Sequence, residues 1–272
     1  MENKIRNGIV LMFVIIFTLT SCKKDHGINL FTKKQDIELG LQMKSQIEES
    51  SDYVILDSDD YPEAYNHLYR IRDEIMNNAS DLSNKDVFEW EVYIIDNDDV
   101  LNAFACPGGF MYFYTGLIKY LDNESQFAGV MAHEMAHVEL RHSTRQLTTQ
   151  YGYSIMVDMI FGKADSKLDS VVRGVTGNLT FLKFSKDYEY QADEYAVKFL
   201  SDTKYDPRGV AGFFEKLENE EERGSKIPTF LSTHPSPEDR IEQIYLVWED
   251  EGSHEGADYT DDYNDFKDSL TQ

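Results

Sequence analysis

The segment MAHEMAHVEL, at residues 131–140, places His133, Glu134 and His137 in an otherwise largely apolar stretch. The two histidines are four residues apart, so on an α-helix their imidazoles lie on one face, one turn apart. Two neutral imidazoles in this arrangement can bind one metal ion, and Glu134 beside the ion can take a proton from water. A metal would also compensate the cost of burying these polar groups. The segment therefore predicts a buried metal site on a helix.

Two histidines do not complete such a site, because a catalytic zinc usually takes three protein ligands and keeps one position open. His142 is the first candidate for the third ligand. The HExxHxxGxxH pattern requires Gly at position 140 and His at position 143, whereas this chain has Leu140 and Ser143. That class of site is excluded, and His142 is interpreted as a surface residue or a partner of a ligand.

The second candidate lies downstream, in SKDYEYQADEYA at residues 185–196. Glu189 and Asp193 are four residues apart and share a face if this segment is helical. Glu189 could complete a site of two histidines and one carboxylate, and Asp193 could accept the free N–H of a ligand histidine. The alternative is a solvated acidic face, but the tyrosines and alanines on either side favour a partly buried helix.

The start of the chain is interpreted as a lipoprotein leader. Residues 9–20 form an apolar run that is short for a membrane span and typical of a signal-peptide core. The following LTSC ends at Cys22 and is typical of a bacterial lipobox, whose cysteine receives lipid. We expect a signal peptide at 1–21 and a lipidated tether at 22–31. An ordinary signal peptide, with Cys22 unmodified, is the alternative.

Net charge, hydrophobic content and cysteine count limit what kind of protein this chain can be. The 272 residues carry a net charge of −24, which argues against nucleic acid as a partner because phosphate binding needs a basic face. Hydrophobic residues make up 41%, enough for a folded core. There are two cysteines. If Cys22 carries lipid, Cys106 has no disulfide partner and is interpreted as a packed residue and not as a catalytic thiol.

Periodicity predicts a mainly helical chain with a few strands. Helices are expected at 32–49, 62–77, 124–148, 186–201 and 208–222, with a turn and helix at 232–247. Strands are expected at 89–96 and on both sides of a Pro-Gly-Gly turn, within 102–114. Residues 151–182 alternate apolar and flexible pieces and could cover a cleft. The acidic tail, 249–272, is expected to be disordered.

Several motifs in order resemble the zinc metallopeptidase family of prenyl-protein endopeptidases and bacterial periplasmic quality-control proteases. They are DIELG (36–40), NAFACPGG (102–109), TGL (115–117), HEMAH (133–137), EYQAD (189–193) and THPSPEDRI (233–241). The resemblance implies an α+β, mainly helical gluzincin domain at 32–248, with a small β-sheet whose edge strand borders the active-site cleft.

The same resemblance implies roles for single residues. His133, His137 and Glu189 would hold one Zn²⁺, and Glu134 would be the general base and later the proton donor. Asp193 would orient a ligand histidine. His234 and Arg240 would lie near the open metal position, unless they are a structural turn and a surface arginine. Unpaired backbone groups of the edge strand would align an extended substrate at Asn102, Ala103, Phe104 and Ala105.

Together these features predict a zinc-dependent endopeptidase, anchored by lipid at Cys22 in a bacterial cell envelope, on the periplasmic face of a membrane. Unfolded or misassembled envelope proteins are the expected substrates. Two alternatives remain open. The chain could be a chaperone-like binding protein with a covered or rarely used zinc site. It could also be a structural lipoprotein in which zinc only stabilises the fold.

Overall fold

A computed structural model of the chain describes residues 28–152, 154, 173, 183–221, 230–234 and 239–271. In chain order the helices are α1 (Lys33–Glu49), α2 (Pro62–Asn78), α3 (Thr115–Tyr120), α4 (Glu124–Glu139), α5 (His142–Tyr151), α6 (Lys186–Ser201), α7 (Gly209–Glu221), α8 (Phe230–Thr233), α9 (Arg240–Asp250) and α10 (Thr260–Asp268). The strands are β1 (Glu91–Ile95), β2 (Ala103–Cys106) and β3 (Phe110–Tyr114). The predicted α+β, mainly helical class is confirmed.

The three strands form one mixed sheet in the order β1-β3-β2. β1 runs parallel to β3, and β2 pairs antiparallel with β3 from Ala103↔Phe113 to Cys106↔Phe110. Gly108 and Gly109 make the predicted turn with φ of +80° and +99°, a region that glycine enters without steric cost. β2 is therefore an edge strand of the sheet, as the family resemblance implied.

Helix α4 lies at the centre of the molecule, and every residue from 127 to 139 along it is buried. It packs against β2 on one side and against α6 and α7 on others. A Cβ on Gly129 would overlap the backbone of Val210, so the glycine lets α7 approach α4 closely. A helix that is buried all round needs partners on every face, and these elements supply them.

The prediction of one continuous helix at residues 124–148 is wrong, because α4 ends at Glu139 and a separate helix, α5, follows it. Arg141 adopts the left-handed conformation, with φ of +58°, and a new helix begins at His142. The guanidinium of Arg141 binds the Asp36 carboxylate and donates to Phe31 O at 2.6 Å. These tertiary contacts stabilise a backbone conformation that the sequence pattern does not reveal.

The expectation of a disordered acidic tail is also wrong. Residues 260–268 form α10, and Tyr263 and Phe266 are fully buried in the same core cluster as α4. Asp258 O accepts the Glu124 N–H at 2.9 Å, which caps the first turn of α4. Leu270 continues the apolar stripe of Tyr263 and Phe266 at helical spacing. The other faces of α10 carry many acidic residues, so the composition of the tail alone does not reveal this apolar stripe.

Two predictions lie outside the described residues: the signal peptide with its lipid-modified cysteine, and most of the flexible segment at 151–182. Within the described ranges, none of the helices combines the length and the apolar character needed to span a bilayer.

Candidate metal centre

Helices α4 and α6 pack against each other and bring the two predicted halves of the site together. His133 and His137 project from α4, and Glu189 and Asp193 project from the first two turns of α6, whose N-cap Ser185 accepts the Tyr188 N–H. All four side chains are buried, at 2% exposure or less. Each pair is separated by one helical turn, so both pairs face the other helix.

The candidate ligand atoms form a compact cluster that also includes His234. The Nε2 atoms of His133 and His137 are 3.0 Å apart, and they lie 3.5 and 3.6 Å from oxygens of Glu189. His234 Nδ1 is 3.4 Å from His133 Nε2 and 3.3 Å from Glu189 Oε1. Ligands about 2.0–2.1 Å from a tetrahedral Zn²⁺ lie roughly 3.3–3.4 Å apart, so this cluster has the size that such an ion requires.

Glu189 has the features of an anionic ligand. Both of its carboxylate oxygens are buried, and within the described part of the chain neither makes a hydrogen bond of regular geometry, although Oε2 lies 3.1 Å from a guanidinium nitrogen of Arg240. Burial alone would raise the pKa of Glu189, but His234 and Arg240 beside it hold that pKa well below its usual range. The carboxylate therefore stays ionised, which suits a bond to a cation.

Asp193 contacts the imidazole of His133. Its Oδ1 lies 2.9 Å from His133 Nδ1, on the side of the imidazole away from the cluster. This contact requires a hydrogen on Nδ1 and leaves the Nε2 lone pair directed at the ligand cluster. Burial alone would raise the pKa of Asp193, but Arg240 lowers it, so the carboxylate remains an acceptor.

Arg240 engages the carboxylates that surround the ligands. Its Nε and Nη2 atoms donate to the two oxygens of Asp193 at 2.5 and 2.8 Å, and Nη2 lies 3.1 Å from Glu189 Oε2. The guanidinium also stacks over the ring of Phe214 at 4.1 Å. Arg240 is buried, so the alternative of a surface arginine is wrong. The guanidinium group makes its two hydrogen bonds to Asp193 and holds that carboxylate in place.

Glu134 lies beside the ligand cluster. Its Oε1 is 3.3 Å from His234 Nε2, while the opposite ring nitrogen of His234 faces the ligand atoms. His234 stacks on Phe230 at 4.4 Å and donates its backbone N–H to Phe230 O at 2.8 Å, which fixes it at the end of α8. Burial raises the pKa of Glu134, which suits a carboxylate that both takes and returns a proton.

Two side chains near His137 were not given a definite role by the sequence. His142 is fully buried, and its Nδ1 lies 2.9 Å from His137 Nδ1. Phe184 stacks on the His137 ring at 4.0 Å and donates its backbone N–H to Thr233 O at 3.3 Å. The spacing of five residues between His137 and His142 was the available sequence signal for the contact between these two rings. No local pattern indicated that Phe184 stacks on His137.

The predicted substrate strand lies close to this centre. Asn102 Oδ1 accepts a hydrogen bond from Thr233 Oγ1, next to His234, at 3.4 Å. The four predicted residues are at most 4% exposed. The strand edge is therefore covered in this arrangement of the chain. The residues with these low exposures are Asn102, Ala103, Phe104 and Ala105.

Known proteins are similar to part of this chain. The beta-barrel assembly-enhancing protease of Escherichia coli K12 is 34% identical over 160 residues, which cover 55% of this chain and 32% of the relative. The mitochondrial metalloendopeptidase OMA1 of Schizosaccharomyces pombe is 30% identical over 164 residues, which cover 57% of this chain and 46% of the relative. The metalloprotease YcaL of Escherichia coli is 27% identical over 158 residues, covering 57% and 60%. The match thus spans less than two thirds of each relative.

The sequence signature described as Peptidase family M48 matches residues 62–246. That range is more than half of the chain and takes in β1, β2, β3, the two helices of the candidate site (α4 and α6) and the His234 segment. It begins after α1 and ends before α10, so these two helices lie outside the matched region. With the sequence match and the paired helices α4 and α6 in agreement, the chain belongs to peptidase family M48.

Proposed function

We propose that the chain is a zinc-dependent endopeptidase with one Zn²⁺ held by His133, His137 and Glu189. The observation that carries this proposal is the cluster of buried ligand atoms at tetrahedral separations, with the carboxylate of Glu134 next to it. Two imidazoles and one carboxylate are a donor set typical of catalytic zinc. Family membership supports the same reaction class.

The mechanism we propose follows from the positions of the side chains. A bound Zn²⁺ supplies a Lewis acid that polarises the scissile carbonyl and lowers the pKa of water towards about 7. Glu134 takes the proton from the attacking water and then passes it to the leaving amine. Asp193 holds His133 in the ligating tautomer, and Arg240 holds Asp193.

We assign the contact with the tetrahedral oxyanion to His234, because its ring lies between Glu134 and the ligand cluster. The contacts of Arg240 with Asp193 and Glu189 favour a positioning role for that residue. In the arrangement described, His234 Nδ1 fills a corner of the ligand cluster. Substrate would therefore enter only after His234 moves, and the enzyme would be latent until then.

The proposed substrates are extended polypeptides. Once uncovered, backbone groups on the outer edge of β2 could pair with a substrate strand, which demands little of the substrate's side chains. The low exposure of this edge requires the covering residues to move first. One relative is named a beta-barrel assembly-enhancing protease. With the lipoprotein leader, that name supports unfolded or misassembled envelope proteins as substrates.

The proposed location is a bacterial cell envelope, with the chain anchored on the periplasmic face of a membrane by lipid at Cys22. The LTSC sequence after an apolar run supports this proposal. Radioactive palmitate should label the wild-type chain in cells, and Cys22→Ala should abolish the labelling. Equal labelling of the two chains would contradict lipidation at this residue.

The proposed reaction is tested by measuring metal content and casein cleavage together, on the full chain in mild detergent. Glu134→Gln should retain one zinc per chain and lose cleavage by at least about 100-fold, because the amide cannot accept the proton. Cleavage at the wild-type rate would contradict Glu134 as the base. A wild-type chain without zinc would contradict the metal centre itself.

A binding role is the second candidate, and the low exposure of the site favours it. In that case zinc would be present in wild type and in Glu134→Gln, and neither would cleave casein. Both would rescue cells that accumulate a misassembled envelope protein. Rescue by wild type alone would favour the peptidase.

A further inference from the structure

The two histidines of the HEMAH motif have different partners behind them. His133 Nδ1 contacts the carboxylate of Asp193. His137 Nδ1 instead lies 2.9 Å from the Nδ1 atom of His142. Two neutral imidazoles can share this contact only if one Nδ1 carries a hydrogen and the other accepts it. For His137 to present a lone pair at Nε2, its own Nδ1 must be the donor.

Packing holds the His142 ring beside His137. Its ring is fully buried and stacks on Tyr188, with centroids 4.4 Å apart and planes 11° apart. Tyr188 directly precedes Glu189 on α6, so the stack joins His142 to the helix that supplies the carboxylate ligand. A side chain that is packed on both sides loses little further freedom when it accepts a hydrogen bond.

The backbone turn before His142 is held by the N-terminal part of the chain. Arg141 is in the left-handed conformation, and its guanidinium binds Asp36 of α1. Two further hydrogen bonds join this part of the chain to α5: Asn29 Nδ2 donates to Thr144 Oγ1 at 3.0 Å, and Leu30 N donates to Thr148 Oγ1 at 3.1 Å. These contacts fix where α5 begins, and therefore where the His142 ring lies.

Helix α1 is itself docked on the turn between β2 and β3. A Cβ on Gly40 would overlap Pro107 O, and a Cβ on Gly108 would come 2.7 Å from the Ile37 Cα. Such close backbone approach leaves α1 little freedom to shift. The helix that holds Arg141 is therefore tied to the hairpin that contains the edge strand.

From these contacts we infer that His142 is a positioning residue of the metal centre. It accepts the Nδ1 hydrogen of His137 and so directs the Nε2 lone pair of His137 at the metal, and α1 sets its position through Asp36 and Arg141. This inference rests on the proposed zinc site. It adds a chain of contacts from Asp36 through Arg141 to His142, and Asp36 lies outside the region matched by the family. It concerns metal affinity first and peptide cleavage second.

The test is zinc affinity, measured on the full chain by competition with a chromophoric chelator. His142→Leu keeps an apolar volume but removes the acceptor, and zinc should bind about 10- to 100-fold more weakly. His142→Asn retains an acceptor oxygen near the position of Nδ1 and should recover most of the affinity. Asp36→Asn keeps the His142 side chain but weakens the contact that positions it through Arg141, so a smaller loss of zinc affinity is expected.

A second readout does not depend on zinc. Ring ¹⁵N chemical shifts of His137 in metal-free protein should report hydrogen on Nδ1 in wild type and in His142→Asn, and a mixture of tautomers in His142→Leu. A purely structural role for His142 would change stability and leave this tautomer unchanged.

The outcomes separate the inference from the proposed function. Wild-type zinc affinity in His142→Leu, or equal losses in His142→Leu and His142→Asn, would overturn the role of His142. A wild-type chain that binds no zinc would overturn the proposed function, and the inference would then be decided by the His137 tautomer alone. An unchanged tautomer in His142→Leu would overturn it in that case.

Discussion

At the scale of single residues, the candidate metal centre depends on buried charges that compensate one another. Asp193 and Glu189 are carboxylates with almost no contact with water, and Arg240 is the cation that contacts both. An uncompensated buried charge is costly because the protein interior replaces water poorly as a solvent for ions. We therefore expect this guanidinium to stabilise the ionised form of both carboxylates in the buried site.

Replacing Arg240 tests this dependence. Arg240→Met keeps most of the side-chain volume but leaves two buried carboxylates without their cation, so the free energy of unfolding should fall by about 3–5 kcal/mol. Urea unfolding in the presence of a chelator separates this loss from any change in metal binding. Arg240→Lys should recover little, because an ammonium group cannot make the two parallel bonds to Asp193.

A partly exposed arginine provides the matched control. Arg72 pairs with Asp73, whose side chain is about half exposed. Arg72→Met should change the free energy of unfolding by less than about 1 kcal/mol, as is usual for surface ion pairs. Equal effects of the two Met variants would show that the buried network around Asp193 contributes no more than a surface pair.

At the scale of elements, the DIELG segment has a physical explanation. Asp36 binds the turn at Arg141, and Gly40 allows α1 to approach the Pro107 turn of the hairpin. The two residues lie one helical turn apart, so one face of α1 contacts both the edge-strand hairpin and the junction of α4 with α5. The helix thus joins two elements that border the candidate site.

A pair of alanine substitutions tests the close approach of α1. Alanine has the better helix propensity, yet Gly40→Ala should lower the free energy of unfolding by about 1–3 kcal/mol because its methyl group overlaps Pro107 O. In α7, a Cβ on Gly212 would lie 3.3 Å from the flexible Gln126 side chain. Gly212→Ala should therefore be neutral or stabilising by up to about 1 kcal/mol. Thermal unfolding of both variants measures the difference, and a stabilising Gly40→Ala would contradict the packing described.

At the scale of the whole molecule, the chain on both sides of the family match holds the helix that carries the HEMAH motif. The N-terminal segment holds the turn that follows α4, through Arg141. The C-terminal segment holds the other end, where Asp258 O caps Glu124 and the aromatic rings of α10 contact Phe127. The central helix is therefore fixed at both ends by parts of the chain that are distant in sequence.

Truncating one aromatic side chain tests the C-terminal contact. Phe266 is fully buried and lies with its ring centroid 5.5 Å from that of Phe127. Phe266→Ala should lower the free energy of unfolding by about 3–5 kcal/mol, and amide exchange along α4 should become faster. Leu246→Ala, at a side chain that is 46% exposed, should change stability by only about 0.5 kcal/mol. Unchanged stability in Phe266→Ala would support the disordered tail that composition suggests.

Much of the fold and of the candidate site could be predicted from sequence, because the signals are local. A spacing of four residues places His133 with His137 and Glu189 with Asp193 on single helix faces. The Pro-Gly-Gly turn, whose glycines have positive φ, predicts the hairpin. Such patterns act through neighbouring residues, so each can be read without knowledge of the rest of the chain.

The remainder was decided by tertiary structure. The left-handed turn at Arg141, the ordered tail and the contact between His142 and His137 each depend on groups that packing brings together. The sequence by itself determined which residues share a helix face or a turn, because that geometry depends on short spacings along the chain. Only the tertiary structure decided how far apart those faces lie and which rings fill the space between them, because these distances are set by close packing between segments far apart in sequence.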